Sequence, residues 1–310
     1  MKKVLIAGGA GFIGSALVPR LIELGYEVKV IDLLWFGNYL PIEVIQKDLF
    51  GCTEEDIKGF DEFIFLAGLS NDPMAEYSPA QNFISNGALP TYLAYLCKRA
   101  GVKRFIYASS ASVYGFTDRL VSEYDKPVSN YPYGISKLHG EQGVLQLQDE
   151  NFSVVVLRQG TVCGYSPRVR MDLIVNTMFK SALEGKITVN NPNIWRPVYD
   201  IRDCVESYVK VLESNAHGIF NIAGGNFTVL AIAYIVQKTL EDLGLEVKVE
   251  INKVPDKRNY KISCDKAEKV LKFEPQYKIA DIVMDLWNHR DQMGDLNQDK
   301  YYNIRVFKNL

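Results

Sequence analysis

Short apolar runs alternate along the first half of the chain with stretches in which apolar residues recur every three or four positions. Lys3–Ala7 is an apolar run of the kind that forms a buried parallel strand. Phe12, Ile13, Ala16, Leu17, Leu21 and Leu24 then fall on one broad helical face, and Gly25 is a helix stop. Glu27–Ile31 predicts a second strand closing on Asp32, and Val44-Ile45 a short third one. Thr53-Glu54-Glu55-Asp56 has the form of a helix start with acids in its first turn. Phe63–Gly68 predicts a fourth strand whose end, Leu66-Ala67-Gly68, narrows to small residues as a backbone close to a ligand requires. Pro79 opens a helical stretch running to Ala100 and stopped by Gly101. Arg104–Ala108 predicts a fifth strand that runs out into Ser109–Gly115. This alternation is the signature of βαβ units, so the fold class is α/β, with a doubly wound parallel sheet.

Past Gly164 the alternation loosens. Helical patterns cover Met171–Leu183, Asp203–Glu213 and Val229–Leu243, with strand-like pieces at Gly218–Ile222 and Glu246–Val249. The expected organisation is a dinucleotide-type domain over 1–164, to which 197–223 returns. A smaller, discontinuous C-terminal substrate lobe takes 165–196 and 224–300, and 301–310 is a tail. From Gly294 onward mixed charge and scattered aromatics fit either a frayed end or a cover over a partner subunit.

Composition excludes several classes of function. At 310 residues with 47% hydrophobic content the chain supports a large core, and a net charge of −2 gives no electrostatic footprint for nucleic acid or an anionic membrane. The opening apolar run stops at Gly8, too short for a secretory leader, and no run of eighteen apolar residues spans a bilayer. The five cysteines are scattered without a C-x-x-C, which is the usage of a reduced, cytoplasmic protein. His139, His217 and His289 lie far apart, so no metal site is expected.

The candidate chemistry begins at Gly8, Gly11 and Gly14, which sit on the turn between the first strand and the first helix. Residues without a Cβ let backbone N–H groups, with Phe12 and Ile13 among them, approach a pyrophosphate, and the helix N-terminus adds partial positive charge. Asp32 follows at close to the twenty-residue separation of a ribose-binding acid. The pattern is that of a Rossmann-type dinucleotide site. A carboxylate there accepts hydrogen bonds from a ribose 2′-OH and repels a 2′-phosphate. Leu33–Phe36 supplies no compensating arginine, so NAD is expected over NADP.

A second constellation is Tyr133 four residues before Lys137, which a helix brings to one face. With eighteen tyrosines about one such pair arises by chance, and the chain holds another, Tyr234/Lys238, with no hydroxyl-bearing strand end ahead of it. An adjacent ammonium stabilises a phenolate; moving a phenol from about 10 to about 7 takes roughly 4 kcal/mol at 1.36 per unit. Such a tyrosine acts as base in alcohol oxidation and as acid in carbonyl reduction.

With these residues the sequence resembles the extended short-chain dehydrogenase/reductase family, in its nucleotide-sugar epimerase/dehydratase branch. Asn86-Gly87, Gly101–Ser110, Val113-Tyr114-Gly115, Tyr133–Lys137 and Trp195-Arg196-Pro197 extend the resemblance over nearly the whole chain. It implies that Ser110 orients the sugar, Tyr133 is the acid/base and Lys137 holds the nicotinamide ribose, while Asp48 and Leu49 flank the adenine. It further implies that Arg196 and Arg258 grip the diphosphate of a nucleotide-sugar substrate, and that the protein is a homodimer through Leu89–Ala100 and Lys137–Leu147.

Two departures narrow the reaction. Where the family's 4,6-dehydratases carry Thr-Asp-Glu, this chain has Ser110-Ala111-Ser112, which removes the acid and base for dehydration and leaves Ser112 at the sugar. Where the family usually has an asparagine against the sugar nucleotide, Thr161 stands. The expected function is NAD-dependent C4 epimerisation of a nucleotide sugar through a 4-keto intermediate. Net C4 dehydrogenation or ketoreduction is the alternative, followed by 4,6-dehydration and last by a non-catalytic NAD-binding role.

Overall fold

The computed structural model describes residues 2–252 and 259–310. Among them seven strands form one parallel sheet: β1 (Lys3–Ala7), β2 (Glu27–Asp32), β3 (Val44–Gln46), β4 (Glu62–Phe65), β5 (Arg104–Ser110), β6 (Ser153–Gln159) and β7 (Gly218–Ile222). Their spatial order is β7-β6-β5-β4-β1-β2-β3. Every pairing is parallel. Chain order therefore reverses between β1 and β4, and the carboxyl ends of these two strands open the crevice where α/β sheets bind ligands.

Alternate residues of the central strands bury into opposite layers, which is why those strands read as continuous apolar runs. Val4, Ile6, Val30, Ile64 and Ile106 pack against Leu17 and Leu21 of α1 (Gly14–Glu23). Leu5, Ile31, Phe63, Phe65, Phe105 and Tyr107 pack on the other side against Leu93 and Cys97 of α2 (Leu89–Ala100). Each fully buried aliphatic side chain contributes on the order of 1.5–3 kcal/mol, so the two layers fix the sheet that presents the crevice. A further core, with Phe179, Ile232, Val236, Ile282 and Leu286, holds the second half of the chain together.

The observed elements depart from the sequence pattern at places that matter for the site. The fourth strand ends at Phe65 instead of Gly68, because Leu66–Gly68 leaves the sheet where the neighbouring β1 ends at Ala7. Gly68 takes φ +120°, and a Cβ there would collide with the Asn86 carboxamide. The helix expected over Pro79–Ala100 is interrupted by a π-helical turn, Ile84–Ala88, which carries Asn86 into the core. There Asn86 Nδ2 donates to Leu69 O at 2.9 Å, and Tyr107 Oη donates to Asn86 O at 2.8 Å. The helix expected from Met171 starts at Ile174, because Leu173 ahead of it keeps extended backbone, and Met171 N donates to Tyr301 O. Thr53 does start a helix, with Asp56 closing a capping box on it. The closing segment, which the pattern left undecided, folds back on the molecule: Tyr301, Asn303 and Phe307 are buried, the last two in the short helix Asn303–Phe307.

Candidate active site

A cavity of about 510 Å³ opens at the carboxyl ends of the central strands. Its floor is the glycine turn, where the three glycines have different jobs. Gly8, at φ +77°, lies so close to β4's exit that a Cβ would stand 2.5 Å from Ala67 N, and a Cβ on Gly14 would strike the backbone of Gly9. A Cβ on Gly11 would meet only the Gly8 carbonyl, at 3.3 Å. Two glycines are thus required by packing, and the third keeps the floor of the cradle low. Phe12, Ile13, Leu66, Ala67 and Gly68 line the same wall.

Asp32 closes β2 at the edge of this cradle. Its carboxylate accepts from Ala10 N at 3.0 Å and Leu34 N at 2.8 Å, tying the loop after β2 to the glycine turn. Burial raises its pKa above the ordinary carboxylate value, and these backbone donors pull it back in part. Asp48 and Leu49 also line the cavity, and Asp48 accepts from Phe50 N at 3.0 Å to cap the short turn Leu49–Gly51.

The other wall is built by β5 and α3 (Pro132–Leu145). Ser110, the last residue of β5, accepts from Ser112 N at 3.1 Å, so its hydroxyl caps the turn that follows. Tyr133 lies in the first turn of α3, half-buried, and Lys137 one turn on donates to Ala108 O at 3.0 Å. The helix sits close because it carries glycines: a Cβ at Gly140 or Gly143 would press into Asn86 O or the Thr91 side chain. Behind this wall Arg158 and Glu141 form a buried ion pair, with Nη2 2.7 Å from Oε2, that also takes Ser109 Oγ at 2.5 Å.

The electrostatics differ from the sequence expectation of a phenol made acidic by its lysine. Desolvation pushes Tyr133 above the ordinary tyrosine value, while the Ser110 hydroxyl, within hydrogen-bonding reach, pulls it part of the way back. Lys137 Nζ lies 5.9 Å from the Tyr133 ring centroid. Burial lowers Lys137 to about 7, opposed by the Glu141 carboxylate one turn away. Both groups are driven toward their neutral forms, because each is shielded from water more strongly than it is paired.

Of the residues expected at the sugar, Ser112, Thr161 and Arg196 line the cavity together with Ser110. Ser112 Oγ and Tyr260 Oη are 3.3 Å apart, and Arg196 lies 5.8 Å from the Tyr260 ring centroid. Arg258 lies outside the described residues. The cavity also holds residues that pattern reading passed over: Asp72, whose charge reaches Tyr133, and Arg168, Arg170, Asp172 and Asn303. The two arginines of Arg168-Val169-Arg170 are the one sequence signal for this group, a basic pair just where the alternation loosens.

The model of the family described as "NAD dependent epimerase/dehydratase family" matches residues 4–223, a span containing the glycine turn, Asp32, Ser110, Tyr133 and Lys137. The chain belongs to this family. It is an enzyme of the extended short-chain dehydrogenase/reductase type, with a Rossmann-like fold and NAD as cofactor. UDP-glucuronic acid decarboxylase 3 of Arabidopsis thaliana is 29% identical over 303 residues, covering 90% of this chain and 86% of that protein. UDP-glucose 4-epimerase of Corynebacterium glutamicum is 24% identical over 94% of this chain and 97% of its own. The solved structure of MoeE5 in complex with UDP-glucuronic acid and NAD superposes with TM-score 0.81 at 26% identity, covering 93% of this chain and 99% of that one.

The residues of the cavity fit the cofactor. The low cradle at Gly11 and the N-terminus of α1 offer backbone donors of the kind a diphosphate needs, and the carboxylate of Asp32 is a hydrogen-bond acceptor of the kind a ribose needs, in the order of the dinucleotide. Among the described residues no helix is long and apolar enough to cross a membrane.

Proposed function

We propose that this enzyme is a nucleotide-sugar 4-epimerase acting on a UDP-linked sugar. The observation that carries the reading is one wall of the NAD cavity. It is lined by the hydroxyls of Ser110 and Tyr133, with Lys137 behind them and with Ala111-Ser112 where water elimination needs carboxylates. NAD, when bound, supplies the acceptor and donor of hydride and a positive ring that favours the phenolate. Tyr133 takes the proton from the sugar 4-OH as the C4 hydride leaves, and returns it when hydride comes back to the opposite face. Ser110 orients that hydroxyl, and Lys137 holds the ribose and stabilises the ionised Tyr133. Ser112, Thr161 and Arg196 contact the sugar and its diphosphate, the guanidinium matching two phosphate oxygens.

A second reading, decarboxylation of UDP-glucuronic acid, is favoured by the relative at 29% identity. It shares the C4 oxidation, after which a 4-keto uronic acid can lose CO2. It then needs an acid to protonate C5, and the turn after β5 offers Ala111 and Ser112.

The test is incubation with UDP-glucose, UDP-N-acetylglucosamine and UDP-glucuronic acid, without added cofactor. A 4-epimer without net NADH is expected, and Tyr133→Phe should lower kcat by roughly 10²–10⁴-fold while the protein keeps its NAD. A pentose with CO2, a 4-keto-6-deoxy sugar or stoichiometric NADH would contradict the assignment. The same reading includes a homodimer through α2 and α3, consistent with exposed Tyr92 and Tyr95 on α2. Sedimentation velocity is expected to give about twice the 35.0 kDa chain mass, and a monomer at all concentrations would contradict it.

A further inference from the structure

Arg168 carries a charge that the protein leaves half satisfied. It is 3% exposed, yet its Nε and Nη1 have no hydrogen-bond acceptor, and only Nη2 is paired, to Asn303 Oδ1 at 2.5 Å. One face of the guanidinium lies on the Phe36 ring, 3.8 Å from its centroid. Leaving a buried charged donor unmatched is costly, and guanidinium N–H groups match phosphate oxygens well. Burial, with the neighbouring charge of Arg170, brings Arg168 down to about 9, while Asp172, Tyr39 and Asp32 act in the other direction. Arg170 has its own counter-charge, Asp172, at 2.8 Å.

The surroundings of Arg168 belong to the dinucleotide end of the cavity. Ser166 Oγ donates to Phe12 O at 2.7 Å, and Arg168 N donates to Ser15 Oγ at 3.3 Å. The segment is thus stitched to the glycine turn and the first turn of α1, where the backbone N–H groups of a phosphate site point. Phe36 follows Asp32 in the loop after β2. Arg168 is the arginine whose charge reaches Asp32, whereas Arg170 is the one that reaches Tyr133. An anion completing Arg168 therefore lies between the glycine turn and Asp32, away from the sugar-side hydroxyls.

We propose that Arg168 is a further cofactor-binding residue, donating to a phosphate oxygen of the NAD diphosphate from beside the N-terminus of α1, with Asn303 holding its guanidinium in place. Asn303 Nδ2 donates in turn to Ser70 Oγ at 2.7 Å, and Phe307 packs with Leu69, Met74 and Trp35. The C-terminal segment thereby joins the loops after β2 and β4 to the strip bearing Arg168, and becomes a strap across the dinucleotide. The inference rests on the family's cofactor and is independent of the proposed reaction.

The test is calorimetric titration of nucleotide-free protein with NAD, ADP-ribose and adenosine, and of NAD-saturated protein with UDP. Arg168→Met is expected to weaken NAD and ADP-ribose at least tenfold, leaving adenosine and UDP within twofold; Arg168→Lys recovers part of the loss. Asn303→Ala, which keeps the guanidinium but frees it, is expected to weaken NAD and ADP-ribose about threefold with the same selectivity. Wild-type NAD affinity in Arg168→Met would overturn the proposal, as would a loss shared equally by adenosine, or one confined to UDP. Should Arg168→Met not fold, the selectivity of Arg168→Lys and Asn303→Ala decides between the same outcomes.

Discussion

Lys137 shows how far a single residue's chemistry is set by its surroundings. Its amine donates to Ala108 O and lies over the Tyr107 and Tyr133 rings, with water excluded, so its proton is held weakly. The folded value is about 7 against an ordinary 10.5. Between those values the unfolded chain binds a proton that the folded one has released. Stability of the nucleotide-free protein therefore gains a contribution that grows as pH rises from about 7 towards 10.5. Lys137→Met removes it. The unfolding free energy of wild type minus variant, from urea titrations, should climb over that window, and a pH-independent difference would contradict the burial argument. Tyr133 is raised by the same desolvation in the nucleotide-free protein, so the phenolate that accepts the sugar proton depends on the positive ring of bound NAD. The four-residue spacing of the pair was visible in the sequence. The direction of the shifts was not, because it depends on the walls that surround the pair.

At the scale of elements, the site depends on α3 lying against β5 and the π-helical turn. The helix shows little amphipathic pattern, since Gly140 and Gly143 face their neighbours with backbone alone. Beneath it the Glu141–Arg158 pair bridges α3 to β6, and Arg158 Nη1 continues to Tyr114 Oη at 2.9 Å. Breaking a buried pair from one side leaves the other charge stranded, at about 3–5 kcal/mol. Glu141→Gln is expected to lose about 3 kcal/mol in urea unfolding, and Glu141→Leu with Arg158→Met to recover most of it; a single variant within about 0.5 kcal/mol of wild type would contradict this. The central strands were legible because burial on both faces writes itself as apolar runs, and the glycine turn because backbone approach tolerates no Cβ. The break at Ile84–Ala88 was not legible: Asn86 turns inward for the Leu69 carbonyl, a partner seventeen residues earlier. Arg168 and Asn303 meet from 135 residues apart, so no local pattern joins them.

Across the whole molecule, the seven-stranded parallel sheet opens at its switch point a cavity whose residues fit NAD, lined also by pieces from the second half of the chain and by Asn303 near its C-terminus. A cavity closed on several sides suits chemistry in which hydride is lent to the cofactor and reclaimed without release. An isotope at C4 follows that hydride. The UDP-sugar that the substrate panel selects, deuterated at C4, is turned over by the NAD-loaded enzyme in ordinary water with free NAD present. The expected product is a 4-epimer that keeps its deuterium at C4, with none in the free nucleotide pool. Deuterium in dissolved NADH, or a product that has exchanged C4 with solvent, would contradict it.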